Sequence, residues 1–138
     1  MRQRLEHAER TLPDNDPELA DALFSAGNHA MFHQNYAEAE TLLHRALDSN
    51  IKAYGEESEA VLANLNRLCV VARELEKGDE SESAIQRALQ IAKRSFSSSH
   101  VYPRTLETLA ILRETQGRTE EAFAFNKQAA LVWISNSC

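Results

Sequence analysis

The chain has 138 residues, 43% of them apolar and 26% charged, which is the balance of a folded chain and the length of one domain or a short repeat array. Four glycines and three prolines are too few for a turn-dense sandwich or barrel, and they point to helices joined by short loops. A net charge of −6 offers no basic footprint for a nucleic acid, and no apolar run approaches the roughly 20 residues of a membrane span.

In chain order, MRQRLEHAER places charges where a secretory leader would be apolar. Leu5, Ala8 and Leu12 instead mark a short helix, followed by a loop from Pro13 to Asp16. Asp16-Pro17 then pairs a capping residue with proline at a first helical position. Leu19, Ala22, Leu23, Ala26, Gly27 and Ala30 follow on one helical face. A second stripe runs through Ala39, Leu42, Leu43, Ala46, Leu47 and Ile51, with Gly55 just past its end. Leu62, Leu65, Leu68, Cys69, Ala72 and Leu75 form the next, Gly78 reads as the turn, and Ile85, Ala88, Leu89, Ala92 and Phe96 line the helix after it. Leu106, Leu109 and Ala110 precede a turn at Gln116-Gly117, and Ala122 to Ile134 form a last helix. No strand-like alternation persists, so the predicted class is all-α.

These stripes repeat. Leu23, Leu65 and Leu106 fall in one column, and Gly27/Cys69/Ala110, Ala39/Ser81/Ala122 and Ala46/Ala88/Ala129 in others, with spacings of 42 and then 41 residues. The columns are small or aliphatic, as close approach of two helix axes requires. Tyr36-Ala37-Glu38-Ala39-Glu40 with His44-Arg45-Ala46-Leu47 resembles the signature of the tetratricopeptide repeat, in the longer variety found in kinesin light chains. Gln86-Arg87-Ala88-Leu89 and Gln116-Gly117-Arg118-Thr119-Glu120-Glu121-Ala122 are similar to it too. The chain departs from the pattern at Gly78, where the first unit has Tyr36, and at Asn126, where Leu43 and Ile85 stand.

The resemblance implies a right-handed α-solenoid of three helix–turn–helix units over residues 17–55, 58–97 and 101–134, with residues 1–12 a capping or partial-repeat helix. It also implies a non-catalytic protein–protein interaction scaffold, in which the first helix of each unit lines a concave groove. Transferred by position, that groove holds Phe24, Asn28, Met31, Asn66, Arg67, Val70, Arg73, Arg104, Glu107, Thr108 and Ile111. Asparagine side chains both donate and accept towards a peptide backbone, and Phe24, Met31, Val70 and Ile111 offer apolar anchor points. Arg67, Arg73 and Arg104 suit a carboxylate, although Asp21, Glu74, Glu107 and Glu114 lie nearby. The expected ligand is a short acidic peptide with an apolar anchor. The carboxylate clamp by which some relatives hold chaperone tails is not expected: Asn28 fits it and Arg104 could replace a lysine, but Phe24, Arg67 and Thr108 stand where its other ligands would be.

Other groupings carry less chemistry. His29 and His33 have the four-residue spacing of two metal ligands, but no third ligand accompanies them. Cys69 shares a column with Gly27 and Ala110 and reads as packing, not as a nucleophile. The acidic runs at Glu56–Glu59 and Glu74–Glu80 lack the order of a calcium loop. With no phosphate loop, nucleophile elbow or HExxH motif, the chain is expected to be neither an enzyme nor a holder of cofactor or metal. Cys69 and Cys138 make a poor disulfide pair, so a reducing, cytoplasmic location is expected. The last helix is apolar almost all round. Phe123, Phe125, Val132 and Trp133 are its candidate interface to another unit, a partner or a second copy, which makes a structural, self-associating segment the alternative to a groove adaptor.

Overall fold

A helix begins where its first amide groups find a substitute for the missing turn, and Asp16 supplies one by accepting from the Glu18 amide at 2.8 Å, one residue ahead of Pro17. Ser58 does the same for the Val61 amide at 3.2 Å. The computed structural model describes residues 2–136, and these caps open two of the helices it contains. The order is α1 (Arg2–Thr11), α2 (Pro17–Phe32), α3 (Tyr36–Tyr54), α4 (Glu59–Glu74), α5 (Gly78–Ser95), α6 (Val101–Thr115) and α7 (Thr119–Asn136). Every described element is α-helical, so the all-α class holds.

The turns inside the three hairpins are built alike. Gln34, Glu76 and Gly117 occupy one register position and all take positive φ, at 64°, 59° and 78°. Each is followed by an amide that reaches back five residues: Asn35 to the Ala30 carbonyl at 2.9 Å, Lys77 to Ala72 at 2.8 Å and Arg118 to Arg113 at 2.8 Å. This bond and the shorter one beside it cap the orphan carbonyls of α2, α4 and α6 in a Schellman motif. Gly78 does not make the turn that its identity announces. It is the first residue of α5, and Glu76 takes the left-handed conformation instead.

Small residues sit where paired helices cross. A Cβ on Gly27 would lie 2.8 Å from the Leu43 side chain, so α2 and α3 approach closely only because that position is glycine. At the equivalent crossing in the second hairpin, Ser81 Oγ donates to the Cys69 carbonyl at 2.8 Å and lies 3.2 Å from Cys69 Sγ. In the third, Ala110 and Ala122 are both buried. Leu43, Leu62, Ile85, Leu106 and Leu109 are almost fully enclosed and extend one core through all three hairpins. Leu5 and Ala8 of α1 join it at one end.

Polar pairs fasten one hairpin to the next. Asn64 of α4 donates to the Leu43 carbonyl at 2.8 Å and accepts from Asn50 of α3 at 3.1 Å, all of it buried. Arg113 of α6 reaches both carboxylate oxygens of Glu82 on α5, at 2.5 and 2.9 Å. The curvature follows from which helices meet. The backbones of α2 and α4, and of α4 and α6, come close, whereas those of α3 and α5 stand farther apart, as do those of α5 and α7. The first helices are therefore the inner face and the second helices the outer. None of the described helices is long and apolar enough to cross a membrane.

Candidate functional site

On the inner face α4 and α6 leave a notch of about 360 Å³, walled by Leu62, Ala63, Asn66 and Arg67 on one side and Val101, Arg104, Glu107, Thr108 and Ile111 on the other. Six of the residues transferred by position thus meet in one hollow: Asn66, Arg67, Arg104, Glu107, Thr108 and Ile111. Helical spacing explains the convergence. Arg104, Glu107, Thr108 and Ile111 follow at i, i+3, i+4 and i+7 on α6, and Leu62, Ala63, Asn66 and Arg67 at i, i+1, i+4 and i+5 on α4.

The notch is polar and incompletely satisfied. The Asn66 amide nitrogen donates to Thr105 Oγ1 at 3.2 Å, but its Oδ1 is buried with no partner. Nε of Arg67 is likewise buried and unpartnered. Burial, and then the like charge of Arg104, push the Arg67 guanidinium below its usual range, so the site disfavours its own positive charge. Glu107 does not neutralise it. Its Oε1 accepts instead from Trp133 Nε1 at 2.9 Å. Ile111, 47% exposed, stands beside these groups as an apolar foothold.

The remaining transferred residues fall elsewhere. Asn28 is half-buried on α2 with Oδ1 unpartnered, and Arg73 on α4 keeps a buried, unpartnered Nη1 while its Nη2 meets Glu74 at 3.3 Å. Phe24 and Val70 are half-buried against the core. Met31 is not a groove residue. At 8% exposure it belongs to the core, because its position on α2 turns it towards the packing stripe.

The last helix also differs from its sequence reading. Phe125 and Val132 pack half-buried on the core, and Trp133 is tied to Glu107 at the notch. Phe123, at 70% exposure, remains open, and its apolar companions there are Leu131 and Ile134. The Trp133–Glu107 contact was illegible beforehand, since 26 residues separate the two and nothing in the repeat columns pairs them. His29 and His33 are exposed with ring centroids 4.3 Å apart, and among the described residues they belong to no group of three metal-ligating side chains. Cys69 is buried, and burial pushes its thiol up, as suits a packing residue. Cys138, expected to be a poor disulfide partner for it, lies outside the described residues.

Helical hairpins stacked in one register, with a polar notch on the inner face, define a helical repeat protein of the solenoid class. Models of the tetratricopeptide repeat match residues 59–130 and 30–60, and the chain belongs to that family. No curated protein matches the sequence. Among solved structures the chain is similar to BtubC (BKLC) from P. vanneervenii, with a TM-score of 0.83 at 18% identity over 95% of this chain and 53% of that one. It is similar also to the nearly identical TPR-like repeats of a kinesin-light-chain-like protein from Podosopora anserina, with TM-scores of 0.81 and 0.77 at 16% identity over 96% and 95% of this chain. The chain spans 53% to 63% of the length of these structures, and at such identities the likeness is one of fold.

Proposed function

We propose that this chain is a non-catalytic adaptor that holds a peptide segment of a partner protein along the face of α2, α4 and α6. The observation that carries this reading is the pair of buried, unpartnered groups at one notch, Asn66 Oδ1 and Arg67 Nε. Buried polar groups are nearly always hydrogen-bonded, and groups left without partners at a surface hollow await a ligand that supplies them. Once the Asn66 side chain turns outward, its Oδ1 accepts a backbone amide of the peptide, while Arg67 and Arg104 take an acidic group and Ile111 receives an apolar side chain. A buried Cys69 outside any disulfide is consistent with a cytoplasmic setting.

Panning a displayed random-peptide library against the chain tests this. Enriched peptides should carry Asp or Glu close to an apolar residue, and the double charge reversal R67E/R104E should abolish capture while helicity stays unchanged. Enrichment that ignores peptide charge, or survives the reversal, overturns the reading.

A second reading rests on α7. Phe123 and Leu131 are 70% and 59% exposed, at register positions that hold Glu40 and Glu82, and Asp48 and Gln90, in the other two units. Apolar residues at positions that are acidic or polar in the other units fit self-association through this helix. Sedimentation at rising concentration should then show a dimer that Phe123→Glu dissociates, and a monomer throughout excludes it.

A further inference from the structure

The outer face carries a second hollow, unrelated to the peptide reading. Where α3 and α5 stand apart, a cavity of about 340 Å³ opens down to α4. Leu47, Leu65, Leu68 and Ala72 form its apolar wall and floor. Its rim holds Glu40 and His44, four residues apart on one face of α3, and Glu80 from the first turn of α5. One ligand atom from each of these three side chains lies within 4.8 Å of the others.

An imidazole with two carboxylates selects among cations. Calcium and magnesium take oxygen ligands, whereas zinc and its neighbours accept mixed nitrogen and oxygen sets. A tetrahedral ion with bonds of about 2.1 Å sets its ligand atoms about 3.4 Å apart, so the trio must close by at most about 1.4 Å. Glu80 and His44 are exposed and Glu40 half-buried, so rotamer changes at the surface supply that movement. A cation is already drawn to the place. Lys77 Nζ lies 2.8 and 3.0 Å from the two oxygens of Glu40. The ammonium is tethered by a flexible stem and 43% exposed, so it can swing into solvent when a doubly charged ion replaces it. Asp79 also lines the cavity and adds negative charge, while Arg87 on the same lining opposes it.

We propose that Glu40, His44 and Glu80 form an interhelical site for a divalent transition-metal ion of the zinc type, with Lys77 as the resident competitor. A sequence reading finds no such site because its ligands come from second helices of different hairpins, whose backbones stand apart. An ion there ties α3 to α5 across the open outer seam.

The test uses the intact chain with Cys138→Ser, His29→Ala and His33→Ala, so that other soft ligands do not compete. Cobalt(II) titration followed by visible absorbance, and zinc titration by calorimetry, should show one ion per chain at micromolar concentration. Zinc, but not magnesium, should raise the unfolding midpoint. His44→Ala and Glu80→Gln should each weaken binding by about tenfold or more, and Lys77→Met should tighten it. Circular dichroism of the metal-free variants should match the parent, since both altered groups are exposed. Absence of one-to-one binding, or affinity unchanged by His44→Ala and Glu80→Gln, overturns the site. Failure of Lys77→Met to tighten binding removes Lys77 as competitor.

Discussion

Glu82 shows how one buried neighbour sets the chemistry of a half-exposed side chain. Arg113 is only 6% exposed, and its hydrogen bonds, more than any other influence, hold the Glu82 carboxyl at about 2, against an ordinary 4.5. A carboxylate with a depressed folded value stabilises the fold fully above the unfolded value, and the gain disappears as pH falls from about 4.5 to about 2. Glu82→Gln should therefore cost about 2 kcal/mol at pH 7, below the range for a fully enclosed pair because Glu82 meets solvent. Urea unfolding at pH 7 and near pH 2 checks it, since parent and variant should differ at the first and converge at the second. Asn64 makes a comparable case without charge. It serves both the Leu43 carbonyl and the Asn50 amide in a dry seam, so Asn64→Ala should lose about 2–3 kcal/mol by the same assay. A loss within about 0.5 kcal/mol would place those bonds in water after all.

At the scale of the element, the hairpin turn shows what a sequence announces and what it conceals. Gly117 advertises its left-handed conformation, whereas Gln34 and Glu76 adopt the same conformation with side chains that disfavour it. Glu76 is exposed and its amide geometry is set by the Schellman bonds, so Glu76→Gly should stabilise the chain by about 0.5–1 kcal/mol, and Gly117→Ala should destabilise it by a similar amount. Thermal unfolding of the two variants distinguishes this from a turn that is merely permissive, in which neither change would register. The helices themselves were legible because burial imposes a period of 3.6 on Leu and Ala, and the Asp16-Pro17 start because capping needs a particular oxygen. Gly78 misled because a glycine between two apolar stripes is read as a turn, while Glu76, two residues before it, carries no mark of its φ. Arg67 and Arg104 could be placed in one groove because the register between units fixes them. Met31 could not be excluded from it, since a position at the edge of the packing stripe is decided by a few degrees of helix rotation.

For the whole molecule, stability is passed between neighbours. Each hairpin packs on the next, so helices enclosed on two sides are held better than those at the margins. α4 buries Val61, Leu62, Leu65, Leu68, Cys69, Val71 and Ala72 together with Asn64, whereas α7 buries only Ala122 and Ala129. Amide hydrogen exchange should accordingly be slowest in the middle of α4 and markedly faster along α7, although both are ordinary α-helices. Equal protection of the two would mean that α7 is covered in solution, as the self-association reading requires.

The unequal meeting of first and second helices has a mechanical consequence. A book sewn along its spine opens and shuts at the fore-edge without tearing a stitch, and here α2, α4 and α6 are the spine. Were α3 and α5 to splay or pinch, the inner face would bend with them, while the Asn64 and Arg113 fastenings, which join each second helix to the next first helix, stayed in place. An occupant of the inner face and a tie across the fore-edge would then act on the same soft coordinate from opposite sides, each sensing the other through the bend.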